Sequence, residues 1–320
     1  MKISLGMRFA MVLLVMLLTA CGGGGGGSGE IHNTPPVGTT WTSRVSGTTD
    51  NLYGITYNGT QFVAVGGYYQ PPMGGPGVLR STILTSPDGI TWTSRTPGTT
   101  SQLFGIVWSG AQFVAVGALS TIITSTTGST WTTRTPSTST DYSCVAWSGT
   151  QFVTGGSGTA LTSPDGIIWS AQTPSTANSL ASIVWSGTQF VVAGSFGTIL
   201  TSPDGITWTS QPTGTTNGFY GITWSGSKFV AVGESGTILT SSTGTSWTPQ
   251  TSGTGNRLNG VTWSGTQFVA VGDTGTILTS PDGITWTSRP TGTTNDLQGI
   301  VWSNTKFVAV GRGGAILTSP

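Results

Sequence analysis

Apolar residues in this chain come in short bursts separated by turn residues, with no helical periodicity. From residue 40 onward, four such runs recur in a fixed order, bounded by Ser-Gly, Asp-Gly and Gly-Thr signals. In the second recurrence they cover residues 105–109, 112–117, 122–125 and 130–134. The second run is apolar at Phe113, Val114, Ala115 and Val116, and most of the first run is apolar too. A strand that does not alternate is covered on both faces. The fourth run carries one Trp among Thr, Ser and Arg, the pattern of an outer strand open to solvent on one side.

The unit repeats seven times. One column is Trp41, Trp92, Trp131, Trp169, Trp208, Trp247 and Trp286, with steps of 38 or 39 residues after a first step of 51. The long step reflects an insertion at about Tyr68 to Ser81. A second column runs Tyr57, Trp108, Trp147, Trp185, Trp224, Trp263 and Trp302, and a third is all Phe, from Phe62 to Phe307. Blades stacked face to face around an axis satisfy these patterns. A β-solenoid needs shorter coils, and a sandwich does not give seven equal units. The fold expected is therefore an all-β, seven-bladed β-propeller with four antiparallel strands per blade. The last unit stops after its third strand, at Ser319-Pro320, whereas the first recognisable element, Thr40 to Arg44, is a lone fourth strand. Pairing of the two terminal segments then closes the ring and removes an open sheet edge.

Charge changes the picture by what it excludes. Charged residues make up 7% of the chain and the net charge is +1, so no basic face for nucleic acid is expected. Residues 1–20 read as a targeting segment: Lys2 and Arg8 precede an apolar stretch from Phe9 to Leu18, too short to span a bilayer. Leu18-Thr19-Ala20-Cys21 resembles the bacterial lipobox. That resemblance implies acylation at Cys21 and, because Gly22 follows, lipid anchoring in the outer membrane. Residues 21–36 form a Gly-rich tether, Gly22 to Gly27 above all, reaching roughly 15 Å for a flexible chain. The propeller is expected over residues 37–320. Beyond Cys21 the sole cysteine is Cys144, which reads as a small buried residue in a column otherwise Gly or Ser.

The turn Ser86-Pro87-Asp88-Gly89-Ile90-Thr91-Trp92 recurs around Asp165, Asp204 and Asp282. It resembles the Asp-box, or bacterial neuraminidase, repeat, with one residue fewer between Asp and Gly. Thr127 and Thr243 replace the Asp in two units. The resemblance covers about 280 residues and implies a propeller in which the Asp accepts backbone hydrogen bonds, on the face opposite any active site. Similar repeats occur in sialidases, sortilin-type receptors and photosystem assembly factors, so it implies no one activity.

The residue inventory disfavours catalysis. A sialidase-like site needs three arginines, a Tyr–Glu pair and an acid. Arg44, Arg95, Arg134 and Arg289 instead share one column at the end of the fourth strand, filled elsewhere by Gln172, Gln211 and Gln250. The glutamates are Glu30, in the tether, and Glu234, and the one histidine, His32, also lies in the tether. No metal, cofactor or phosphate loop is expected. Off-column aromatics gather instead in the loops from fourth to first strand, at the start of the first strand and in the loops from second to third, and in a propeller these two loop sets are expected to share one face. Tyr53, Phe104 and Tyr220 share a varying column with Ser143, Ala181, Asn259 and Gln298, while Tyr142 and Phe219 replace a column Leu and read as core. The insertion adds Tyr68, Tyr69, Gln70 and two prolines, and Phe196 stands in a second-to-third loop. Glu234, Asp273 and Arg312 occupy one loop position on blades five, six and seven, as a cluster or with Arg312 paired to Asp273. The expectation is a monomeric, non-enzymatic envelope lipoprotein that binds a protein or glycan partner on this face. A sialidase-like glycoside hydrolase and an assembly factor for a membrane complex are the alternatives.

Overall fold

The computed structural model describes residues 37–70, 78–136 and 138–320. The targeting segment, Cys21, the tether, Pro71 and Pro72 lie outside the described residues. Among these residues are seven four-stranded antiparallel sheets. They cover residues 51–95, 103–134, 142–172, 180–211, 219–250 and 258–288, and 297–319 together with Thr42–Arg44, numbered here as blades one to seven. Within a blade the strands follow chain order from the axis outward, as in Leu103–Trp108, Phe113–Gly117, Ile122–Ser125 and Thr132–Arg134 of blade two.

The second strand is apolar on both faces because each face serves a different core. Phe113 and Ala115 pack with Val63, Val65 and Ile83 of blade one, whereas Val114 and Val116 pack with Tyr142, Phe152 and Leu161 of blade three. Seven such inter-blade cores recur around the ring. The Phe column is their centre. Phe113 lies 4.4 Å from Trp108 and 6.2 Å from Trp131, centroid to centroid, so both Trp columns pack on it. Tyr142 and Phe219, expected in the core, are fully buried.

The ring closes through the chain ends. Thr42–Arg44 pairs antiparallel with Ile316–Ser319, Ser43 opposite Leu317, and the Gly38 N–H donates to Pro320 O at 2.7 Å. A second belt runs between blades. The residue ending each first-to-second turn donates to a backbone carbonyl of the next blade's third-to-fourth turn: Gln61 to Thr127, Gln112 to Asp165, Gln151 to Asp204, Gln189 to Thr243, Lys228 to Asp282 and Lys306 to Asp88. On blade seven the acceptor is Val37 O, held by Gln267. The N-terminal segment thus replaces both the missing strand and the missing turn.

Two local expectations need correction. The first strand of blade two starts at Leu103, not at residue 105, because a β-bulge lets it continue. The insertion is not a loop where it meets the blade. It prolongs the second and third strands of blade one, Phe62–Gln70 and Val78–Ser86, with Tyr68 opposite Arg80 and Tyr69 opposite Leu79.

Candidate functional site

The same bulge occurs in all seven first strands. Register slips between Leu52 and Gly54, Leu103 and Gly105, Tyr142 and Cys144, Leu180 and Ser182, Phe219 and Gly221, Leu258 and Gly260, and Leu297 and Gly299. The residue skipped each time belongs to the varying column: Tyr53, Phe104, Ser143, Ala181, Tyr220, Asn259 and Gln298. A bulge leaves its extra residue unpaired and re-aims its side chain. Here all seven line the central channel, a space of about 180 Å³. Below them comes a ring of Gly54, Gly105, Cys144, Ser182, Gly221, Gly260 and Gly299, then an aliphatic ring from Ile55 to Ile300. The glycines are required by close approach: a Cβ on Gly54 would stand 2.8 Å from Phe104 O, and one on Gly299 2.8 Å from Tyr53 O.

The mouth is uneven. Tyr53 and Phe104 meet edge to face at 5.5 Å on blades one and two. Blades three and four present only Ser143 and Ala181. Blades five to seven carry a polar network. The Tyr220 hydroxyl donates to Glu234 Oε1 at 3.0 Å, and the Gly218 N–H donates to Glu234 Oε2 at 2.9 Å. Arg257 lies 5.0 Å from the Tyr220 ring centroid and bonds Asp273 at 3.2 Å. Asn259 donates to Asp273 Oδ1 and to Leu297 O, both at 2.8 Å. The Gly218 and Tyr220 bonds hold the Glu234 carboxyl below its usual range, while burial and then Glu234 push the Tyr220 hydroxyl up. Glu234 is therefore an anion and Tyr220 a neutral donor at neutral pH. Among the described residues, Gln298 Nε2 and Arg257 Nε of this network are buried without an acceptor.

The expected cluster of Glu234, Asp273 and Arg312 does not form. Glu234 and Asp273 are linked only through Tyr220 and Arg257, and Arg312 stands apart, paired with Asp296 at 3.6 Å and not with Asp273. Tyr220 and Asn259 belong to the mouth column, whereas Gly218, Arg257 and Asp296 come from the loops that enter the first strands. Those entry residues, Asn51, Gln102, Asp141, Ser179, Gly218, Arg257 and Asp296, vary as widely as the mouth column, and that variation was the available signal. Tyr68, Tyr69 and Phe196 do not line the channel. They are 39%, 50% and 75% exposed, the two tyrosines on the extended hairpin and Phe196 in a turn at φ +54°.

Both loop sets do share one face, since the Leu119 N–H of blade two donates to Asp141 Oδ1 at the entrance to blade three. The turns of Asp88, Asp165, Asp204 and Asp282 stand at the other ends of the strands. Asp88 Oδ1 accepts the Ile90 and Thr91 N–H groups, both at 2.8 Å. Cys144 is buried, and burial pushes its thiol up to about 12, so it is inert as a nucleophile. Among the described residues no group of three or more His, Cys, Asp or Glu is arranged to hold a metal ion.

No family model matches the chain, and neither does any curated protein. Solved structures do. The fold is a seven-bladed β-propeller. YCF48 from Cyanidioschyzon merolae superposes with a TM-score of 0.69 at 17% identity, covering 87% of this chain and 98% of its own. YCF48 bound to D1 peptide gives 0.70 at 16%, covering 89% and 96%. A catalytically inactive histidine-to-alanine variant of virginiamycin B lyase from Staphylococcus aureus, with quinupristin, gives 0.74 at 13%, covering 88% and 98%. At such identities the likeness is one of fold, and fold does not fix function.

Proposed function

We propose that this chain is a monomeric, non-enzymatic binding propeller of the bacterial envelope, anchored in the outer membrane through an acylated Cys21, and that it seats a segment of a protein partner at the channel mouth. One observation carries the reading. The repeat keeps nearly every inner column uniform, yet the column that seven bulges aim at the axis holds two tyrosines, a phenylalanine, two amides and two small residues. Side chains of that kind, gathered at one opening, suit a partner that inserts an aromatic or amide-bearing segment. The unpaired Gln298 Nε2 supplies a donor for a backbone carbonyl of that segment. The peptide-bound YCF48 structure is in keeping with such a role. The lyase variant was inactivated by removing a histidine, whereas the one histidine here is His32, ahead of the repeats.

The test is affinity capture from envelope extract with native protein and with Tyr53→Ala/Phe104→Ala/Tyr220→Ala. A protein recovered by native chain and reduced at least about tenfold by the triple variant is expected, since truncated aromatic anchors commonly cost that much. Ile167→Ser/Ile284→Ser, on the opposite face, should leave recovery unchanged. Equal recovery by native and triple variant removes the mouth from the account.

A further inference from the structure

The fourth-strand column carries a charge that its structural task does not need. In four blades an arginine Nε donates to a third-strand threonine: Arg44 to Thr318 at 2.9 Å, Arg95 to Thr85 at 2.8 Å, Arg134 to Thr124 at 2.9 Å and Arg289 to Thr279 at 2.8 Å. In the other three, a glutamine amide makes the same bond, Gln172 to Thr162 at 3.0 Å, Gln211 to Thr201 at 2.8 Å and Gln250 to Thr240 at 3.0 Å. One neutral N–H therefore suffices to tie the strands. What arginine adds is a positive charge and two terminal nitrogens with four N–H groups left over.

The surplus is not scattered. The four arginines stand on consecutive blades, six, seven, one and two, and the three glutamines on three, four and five. Ion pairs among the described residues are Arg80–Asp50, Arg257–Asp273 and Arg312–Asp296, so none of the four rim arginines has a carboxylate partner. The middle of the arc coincides with a groove of about 800 Å³ between blades seven and one, lined by Arg44 and Arg95 and by Arg80 from the extended hairpin. Against these three cations the groove sets one carboxylate, Asp50, which is buried and bonded to Arg80 and Thr82. A similar depression of about 750 Å³ beside blade five is lined by Pro212, Trp247, Pro249 and Gln250 and has no charged residue. The repeat supplies the shape, and only one half of the rim supplies charge.

We propose that this half-rim binds an extended polyanion, a flexible chain bearing phosphate or carboxylate groups, seated in the groove between blades seven and one. A flat bilayer touches only the blade or two that face it, whereas these guanidiniums follow the circumference over four of seven blades. A flexible chain can follow them, each group taking a two-pronged contact from an arginine. This site is separate from the channel mouth and does not depend on it.

The test uses residues 21–320 carrying Cys21→Ser, so that neither the apolar targeting stretch nor an acyl chain draws the protein to lipid. Binding of labelled inorganic polyphosphate, of polyglutamate and of phosphatidylglycerol vesicles is measured across a salt titration. The native rim should bind one or both polymers, and which one identifies the anionic group. Arg44→Gln/Arg95→Gln/Arg134→Gln/Arg289→Gln keeps every threonine bond. It should melt with the native protein yet flatten the slope of log K against log salt by about 0.7 for each arginine that contacts the chain. Arg44→Gln/Arg95→Gln should weaken binding more than Arg134→Gln/Arg289→Gln. Failure of the native chain to bind either polymer, equal binding by the quadruple variant, or retention by vesicles alone would overturn the proposal.

Discussion

Within the channel ring, the residues that break the glycine pattern are matched by their strand partners. Five blades pair a first-strand glycine with a second-strand valine, as Gly105 with Val116, whose Cγ2 fills the space a Cβ on that glycine would take. Blade three reverses the volumes, with Cys144 opposite Gly155, and blade four splits them, with Ser182 opposite Ala193. A Cβ on Gly155 would meet Leu180 Cδ1 at 3.1 Å and Cys144 Sγ at 3.4 Å. Gly155→Val alone is therefore an overpacking change, expected to cost about 1–3 kcal/mol. Combined with Cys144→Gly it restores the common pair, so a double-mutant cycle by urea unfolding should give a favourable coupling of about 1 kcal/mol or more. Additive losses would contradict the volume exchange. Cys144 was legible as a small buried residue from its column, but its reason was not, because the compensating Gly155 lies eleven positions away on another strand. The mouth column was legible as variable. That a bulge turns it to the axis was not, because nothing in the local residue types distinguishes a bulge from regular pairing.

At the scale of the element, the third-to-fourth turn is fixed by five side-chain bonds, one of them from the Ser86 hydroxyl to Asp88 Oδ1 at 3.0 Å. The Gly89 N–H donates to Ser86 Oγ at 2.8 Å, two further N–H groups donate to Asp88, and the Trp92 indole N–H donates to Gly89 O at 3.1 Å. Gly89 sits at φ +73°, where a side chain is strained. Where Thr127 and Thr243 stand, the hydroxyl accepts one N–H, at 3.2 and 3.3 Å. Backbone donors, Thr91 then Ile90 for Asp88, hold the carboxyls of Asp88, Asp165, Asp204 and Asp282 below their usual range. A lowered folded-state value stabilises the fold above the unfolded carboxyl range, and that contribution is lost as pH falls through the folded value. The fourfold Asp→Asn variant should therefore melt below the native protein at pH 7, and the gap should close below about pH 4. A gap independent of pH would contradict the charge-assisted turn. These turns were the most legible elements, since their donors and acceptor lie within seven residues. The hairpin on blade one was less so, because its prolines and glycines signal a loop while Tyr68 and Tyr69 continue the ladder.

Over the whole molecule, the blade count and the closure followed from the columns and from the offset between the chain's first and last strands. Charge pairing did not, although Arg257 with Asp273 and Asp296 with Arg312 join the same two repeat positions with the signs exchanged, a strand-entry residue and a second-to-third loop residue of one blade. Closure rests on few residues. Thr42–Arg44 supplies the fourth strand of blade seven, Trp41 lies 6.2 Å from Phe307, and Val37 completes the belt through Gln267. Without them Ile316–Ser319 becomes an open edge and the core of Phe307 and Leu317 loses its cover. The direct test is removal of residues 37–45, followed by thermal melting and size-exclusion chromatography. The ring account predicts a large drop in melting temperature and self-association through the freed edge. A variant that melts like the native protein and stays monomeric would contradict it.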